Sequence, residues 1–195
     1  CASITDVFSD VEAERCDYGV VPVENSTEGA VNHTLDMFIA SDLKIYAEIY
    51  LPVHHYLMSA GSPVNNIKQV FSKDQVFGQC RLWLESHLRN AELVETASTA
   101  EAAQIVAKDS KHKGIACIAS QIAANEYGLK VLGTSIEDNP NNTTRFLVVS
   151  RSEAKPTRQD KTSILFEIKD KSGALHDILS PFKKAKINLT KIESR

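Results

Sequence analysis

No stretch of these 195 residues reaches the ~18 consecutive apolar residues that a membrane-spanning helix needs. The opening CASITDVFSD has neither the basic start nor the apolar run of a secretory signal. No block of like charge exists and the net charge is −3, which argues against a nucleic-acid or anionic-membrane partner. Cysteine is sparse. Cys1, Cys16, Cys80 and Cys117 form no C-x-x-C pair, and the last two sit inside apolar patterns, as small buried thiols of a reduced compartment do. The six histidines show no H-E-x-x-H or other ligand spacing, so neither a metal nor a cofactor is expected. A nucleophile triad, a phosphate loop and a dinucleotide fingerprint are all missing. Without a secretory signal the sequons at Asn25, Asn32, Asn142 and Asn188 are chance matches, and the expected location is cytoplasmic. An initiator Met is also missing, so the chain reads as a fragment or a processed product.

What is present is ordinary globular balance, 43% hydrophobic and 24% charged, in alternating strand and helix patterns. Residues 3–15 read as a helix capped by Ser3, 18–23 as a strand, and 29–39 as a helix. Leu43, Ile45, Ala47, Ile49 and Leu51 alternate strictly, which predicts a strand with one face in the core. Ser72 with Gln75 reads as a capping box opening a helix over 74–88, and Ser98 with Glu101 as another over 99–109. Gly128 is the expected stop of a helix over 120–127. Residues 151–160 read as a linker. Beyond it, alternation over 163–169, a helical stripe from Ala174 to Phe182, and alternation over 187–192 predict a βαβ unit, too small to close a core alone.

Ligands of α/β proteins bind beyond strand carboxyl ends and at helix N-termini. Three places have that form, and a fourth element stands beside them. Glu24-Asn25-Ser26-Thr27 follows a strand. Ser72 precedes a helix bearing Gln75 and Gln79 on one face. Ser98-Thr99 opens a helix whose free amides can receive a carboxylate. In Thr143-Thr144-Arg145-Phe146 a strand starts with hydroxyls and a guanidinium suited to two-point carboxylate recognition. Each also has a plainer explanation: capping for the serines, a polar turn for Glu24-Asn25, and surface ion pairing for Arg145. His176 and the pair His54-His55 read as structural. Pattern alone supports an α/β small-molecule binder and no more.

The wording of these segments says more. GVVPVENSTEGAVNHTLD resembles the P-x-E-N-S-x-x-G block of prephenate dehydratases, and VFSKDQVFGQCRLWL their S-x-x-Q-x-x-x-Q-C segment, with Lys73-Asp74 where that family often has His-Pro. ASTAEAAQIVA is similar to their S-T-A-x-A-A helix start, and the segment ending TTRFLVVS to their T-R-F block. GALHDILSPFKKAKINLTKIESR resembles the G-A-L and E-S-R elements of the ACT regulatory domain that follows in the family. The family's G-P-x-G-T strand would lie before Cys1, and the rest of the ACT domain after Arg195.

The resemblance implies two α/β lobes of the periplasmic-binding-protein type around a cleft, followed by a partial α+β ACT domain. One lobe would take residues 1–51 and 132–150, the other 52–131, with the ACT portion at 161–195. It implies decarboxylating dehydration of prephenate to phenylpyruvate, feedback control by L-phenylalanine, no cofactor, and a homodimer or homotetramer. Carried over residue by residue, Thr144, Glu24, Asn25, Ser72 and Gln79 are the expected catalytic positions. Arg145, Phe146, Ser98, Thr99 and Ser26 are the expected substrate contacts. Thr144 would donate a hydrogen bond to the leaving hydroxyl, Glu24 would be a proton source if buried, and Arg145 would grip a carboxylate. The effector would meet Gly173, Ala174, Leu175, His176, Glu193, Ser194 and Arg195. Arogenate dehydratase and a non-enzymatic amino-acid sensor on the same fold are the rival readings.

Overall fold

The computed structural model describes residues 1–108 and 114–193, and the alternating patterns resolve in it into two sheets. Ser3 caps helix α1 (Ile4–Glu12): its hydroxyl accepts the Asp6 amide while the Asp6 carboxylate accepts the Ser3 amide, satisfying two helix-end donors. Strand β1 (Gly19–Asn25) follows, then the short β2 (Gly29–Ala30), helix α2 (Asn32–Ala40) and strand β3 (Lys44–Pro52). The expected helix over 29–39 therefore begins only at Asn32.

The chain then crosses to a second sheet. There it forms β4 (Tyr56–Ser59), β5 (Gln69–Ser72), helices α3 (Asp74–Gln79) and α4 (Arg81–His87), β6 (Glu92–Glu95), helix α5 (Thr99–Lys108), β7 (Ile115–Ala119), helix α6 (Gln121–Tyr127) and β8 (Lys130–Gly133). The strand order is β6-β5-β7-β4-β8. β5 runs parallel to β6 and β7, while β4 is antiparallel to β7 and β8. Gly128 ends α6 with φ 64°, the left-handed conformation a C-terminal stop requires. The chain then returns to the first sheet as β9 (Thr143–Ser150), inserted between β1 and β3 in the antiparallel order β2-β1-β9-β3.

Side-chain alternation explains why the second sheet carries helices on both faces. Ala116 and Ile118 of β7 pack with Leu57, Val70, Phe77 and Leu84, while Cys117 and Ala119 pack with Met58, Ala103, Val106 and Ala123. The first sheet is covered on one face, by α1 and α2 over Val21, Val23, Leu147 and Val149. Phe8 anchors this core edge-on to Phe38, with ring centroids 5.2 Å apart. Fully burying a side chain of this kind is worth roughly 1.5–3 kcal/mol.

Four expectations are corrected. The strict alternation of β3 breaks at a bulge between Ile45 and Ala47, leaving Tyr46 as the extra residue. Leu43 is buried, but Ile49 and Leu51 then face outward, 45% and 53% exposed, and Glu48 turns inward. The helix expected over 74–88 is broken at Cys80 (φ −116°, ψ 17°), and Asp138 supplies the second piece with a cap by accepting the Leu82 amide. β8 pairs with β4 through Gly133, and Ile136 packs in the second lobe, so the return crossover falls nearer Asn139 than residue 132.

The fourth correction concerns the C-terminal part. Residues 1–155 and 156–195 form separate units. Within the second, helix α7 (Ala174–Lys184) forms behind Gly173 (φ 81°), and no strand is found among the described residues. Neither 163–169 nor 187–192 is a strand, because strand backbone needs a partner and the described residues of this unit supply none. Ile164, Leu165, Phe166, Ile187 and Ile192 are accordingly exposed. Among the described residues no helix is long and apolar enough to cross a membrane, and no His/Cys/Asp/Glu group suits a metal ion.

Candidate active site

Two strand edges face each other across the crossovers. On the first lobe β1 ends at Asn25, β3 ends at Pro52 and β9 begins at Thr143; on the second, the parallel strands β5, β6 and β7 end at Ser72, Glu95 and Ala119. The crossovers run side by side: the Val53 amide donates to the Asn142 carbonyl at 2.8 Å and the Ile136 amide to the His55 carbonyl at 3.0 Å.

A hydrogen-bond chain spans this gap, and its direction can be deduced at every link. The amides of Thr27 and Glu28 donate to Asn25 Oδ1 at 2.9 and 3.0 Å. Backbone amides only donate, so that atom must be the oxygen, and Asn25 Nδ2 must face the other way. It donates to Thr144 Oγ1 at 2.8 Å and to Asn142 Oδ1 at 2.9 Å. Asn142, 2% exposed, therefore presents its Nδ2 to Gln79 Oε1 at 3.4 Å. Gln79 Nε2 in turn donates to Glu28 Oε1 at 2.8 Å, and a carboxylate only accepts. Thr144 Oγ1 is thus already an acceptor. Its proton is left to point elsewhere, which makes it a donor aimed by Asn25.

Thr144 and Arg145 are neighbours in a strand, so their side chains leave opposite faces of the sheet. Thr144 shares its face with Phe146. Arg145 shares its face with the core residues Leu147 and Val149 and meets Glu24 and Glu48. Arg145 Nη1 lies 3.0 Å from Glu24 Oε1, and its Nε and Nη2 each lie 2.9 Å from Glu48 Oε2, with the guanidinium 5.9 Å from the Tyr50 ring centre. Burial works against the charged guanidinium, but the hydrogen bond to Glu24 and the charge of Glu48 outweigh it and hold the Arg145 pKa above its ordinary value. This bears on two of the expected roles. The Arg145 fork is engaged by Glu24 and Glu48, and the Glu24 carboxylate meets Arg145. The charged cluster fastens the register of β1, β9 and β3.

The remaining positions divide. Ser72 is fully buried and donates to the Ile118 carbonyl at 2.8 Å; Lys73, not Ser72, occupies the cap position of α3. Ser26 uses its hydroxyl twice on the returning loop, accepting the Thr143 amide and donating to the Asn141 carbonyl. Ser98 caps α5 as expected by accepting the Glu101 amide at 3.1 Å, while Glu101 accepts the Ala97 amide. Thr99 begins that helix. Gly173 precedes α7, followed by Ala174, Leu175 and His176, and Glu193 lies nearby in sequence; Ser194 and Arg195 fall outside the described residues. Burial pushes the Cys80 and Cys117 thiols up to about 12, with Glu137 and Asp138 adding at Cys80, so neither is a nucleophile.

Sequence reasoning missed four participants: Glu28, His55, Asn142 and Glu137. The Glu137 side chain is 1% exposed; it meets His54 Nδ1 at 2.7 Å and accepts the His55 amide at 2.9 Å. Burial raises its pKa, but those two bonds and its own amide outweigh that and hold the carboxyl below its ordinary value. A cavity of about 110 Å³ lies between the lobes, lined by Thr27, Gln79, Glu137, Asp138, Asn139 and Asn142, with Gly78. Ligand pockets usually measure ~300–1,000 Å³. Glu28 of the first lobe holds Gln75 and Gln79 of the second at 3.1 and 2.8 Å beside this cavity.

A family model described as prephenate dehydratase matches residues 1–154. The chain is 49% identical over 195 residues to the bifunctional chorismate mutase/prephenate dehydratase of Aquifex aeolicus, covering all of this chain and 53% of that protein. It is 44% identical over 200 residues to the prephenate dehydratase of Methanocaldococcus jannaschii, covering all of this chain and 71% of that one. The chain thus spans about half the length of the bifunctional relative. Among solved structures, the prephenate dehydratase of Arthrobacter aurescens in complex with L-Phe superposes with a TM-score of 0.82 at 36% identity, covering all of this chain and 66% of that one.

Proposed function

The chain belongs to the prephenate dehydratase family, and we propose that it converts prephenate to phenylpyruvate, with Thr144 as the donor to the departing hydroxyl. The bond from the ring to its carboxylate breaks, and that electron pair moves through the ring and completes its aromaticity. The 4-hydroxyl leaves with a proton, so carbon dioxide, water and phenylpyruvate form and one proton is consumed overall. The observation that carries this reading is the 2.8 Å bond from Asn25 to Thr144 Oγ1, its direction set by two backbone amides. A neutral hydroxyl preorganised toward developing negative charge is the kind of group that speeds such a step. Asn142 and Gln79 hold that geometry, Phe146 on the same face offers a ring-sized apolar wall, and the free amides at the start of α5, beside Ser98 and Thr99, suit a carboxylate of the dianion. Arg145, Glu24, Ser26 and Ser72 support the site instead of touching substrate.

The reading extends to regulation. L-phenylalanine is the proposed effector, held by residues 173–176 with Glu193, Ser194 and Arg195 in an ACT domain that pairs in a homodimer or homotetramer. The L-Phe bound to the Arthrobacter protein supports this. A cytoplasmic enzyme fits the four free cysteines. Incubating the protein with prephenate and, separately, with arogenate tests the activity: phenylpyruvate release with the higher kcat/KM on prephenate is expected. Turnover of arogenate alone would overturn the substrate assignment, and turnover of neither would overturn the activity.

A further inference from the structure

The chain of donors that ends at Thr144 has a second anchor in the other lobe. Gln79 Oε1 accepts from His55 Nε2 at 2.6 Å as well as from Asn142. Because the Gln79 amide is oriented with its oxygen toward both, His55 must carry its proton on Nε2. His55 is itself held on both sides of its backbone, its amide by Glu137 Oε2 and its carbonyl by the Ile136 amide. The residue is 7% exposed. Asp138 adds to this by donating its amide to the Gln79 carbonyl at 2.7 Å, so backbone and side chain of Gln79 are both fastened to the crossovers.

The two partners that fix the Gln79 amide differ in one respect. Glu28 is exposed and lies across the gap, where water competes for its contact. His55 lies in the crossover that leads into the second lobe, and Gln79 is the last residue of α3 in that lobe, so their bond does not cross the gap. If the Gln79 amide turned over, Asn142 would face a donor and would turn in its place. Asn142 would then present a donor to Asn25 Nδ2, which the Thr27 and Glu28 amides keep facing it, and the opposed donors would displace the group that aims Thr144.

We infer that His55 is a positioning residue for the dehydration: its Nε2 proton locks the Gln79 amide and, through Asn142 and Asn25, keeps the Thr144 hydroxyl aimed into the cleft. This rests on the dehydratase reading. The test compares the protein with His55→Leu, which removes the donor, and His55→Gln, which returns an amide N–H at similar reach. Loss of one such bond in a buried chain predicts a kcat about 10-fold lower or more for His55→Leu, with KM changed by less than about 3-fold. His55→Gln restores kcat to within about 3-fold of wild type. Unchanged kcat in His55→Leu, or equal loss in both variants, would overturn the inference while wild-type turnover leaves the dehydratase reading intact. A wild type that makes no phenylpyruvate refutes the dehydratase reading instead. If His55→Leu does not fold, ¹⁵N spectra of the wild-type ring decide: a proton on Nε2 is expected, and a ring protonated on Nδ1 alone overturns the lock.

Discussion

Replacing Asn25 with Asp changes one atom and should reverse the proton arrangement at Thr144. The oxygen that accepts the Thr27 and Glu28 amides is kept, so the turn after β1 retains both bonds, now to an ionised acceptor. The atom 2.8 Å from Thr144 Oγ1 becomes an acceptor, and the Thr144 proton turns toward it and away from the cleft. Asn142 loses its donor as well and must reorient. Removing one preorganised donor of this kind lowers kcat by ~10²–10³-fold, and the lower end, about 2.7 kcal/mol, applies because the hydroxyl is misdirected and not deleted. Stability should change by about 1 kcal/mol, which at this chain length moves Tm by only ~2–4 °C. Steady-state kinetics on prephenate together with thermal melts separate the two effects. The double variant Asn25→Asp/Thr144→Val is the sharper arm: if Asn25 acts only by aiming the Thr144 proton, the double variant is no slower than Thr144→Val alone. A kcat within twofold of wild type for Asn25→Asp, or a double variant slowed by the product of the two single losses, refutes the reasoning.

Arg145→Lys should act on stability, lowering it by about 2 kcal/mol, because Glu24 and Glu48 are left facing each other beside a shorter cation in a partly buried site; a raised KM with an unaltered melting curve would return Arg145 to the substrate. Glu137 gives a pH prediction whose sign follows from its lowered folded pKa against an unfolded value of ~4.3. Its contribution is fully present above that unfolded value and is lost as pH falls through the folded one, so Glu137→Gln should flatten the acid limb of stability in urea melts between about pH 5 and pH 3. Parallel acid limbs for the two proteins would contradict it.

The alternation of strand and helix patterns made both lobes legible, and the family wording led to Asn25, Gln79 and Thr144, which lie in one hydrogen-bond chain. The roles were less legible, for reasons particular to each residue. Thr144 and Arg145 form one motif in the sequence, although the two-residue period of a strand sends them to opposite faces. The bulge at Tyr46 is invisible in the pattern, because an extra apolar residue preserves the look of alternation while it moves Glu48 inward to meet Arg145. Ser72 has the spacing of a helix cap, and only the tertiary fold shows its hydroxyl spent on the Ile118 carbonyl of the neighbouring strand. His55 and Asn142 take part through contacts across 24 and 63 residues of sequence, which no local reading reaches. The alternating runs after the linker show the opposite limit: a strand pattern makes no strand without a partner to pair with.

The central claim, that a Thr144 proton aimed into the cleft drives loss of the hydroxyl, is tested most directly by prephenate turnover in the wild type and in Thr144→Val under identical conditions. The valine keeps the β-branched shape of the strand and deletes only the donor. The account predicts phenylpyruvate release by the wild type and a kcat lower by about 10²-fold or more in the variant, with melting temperatures within a few degrees of each other. Equal kcat in the two proteins would contradict it.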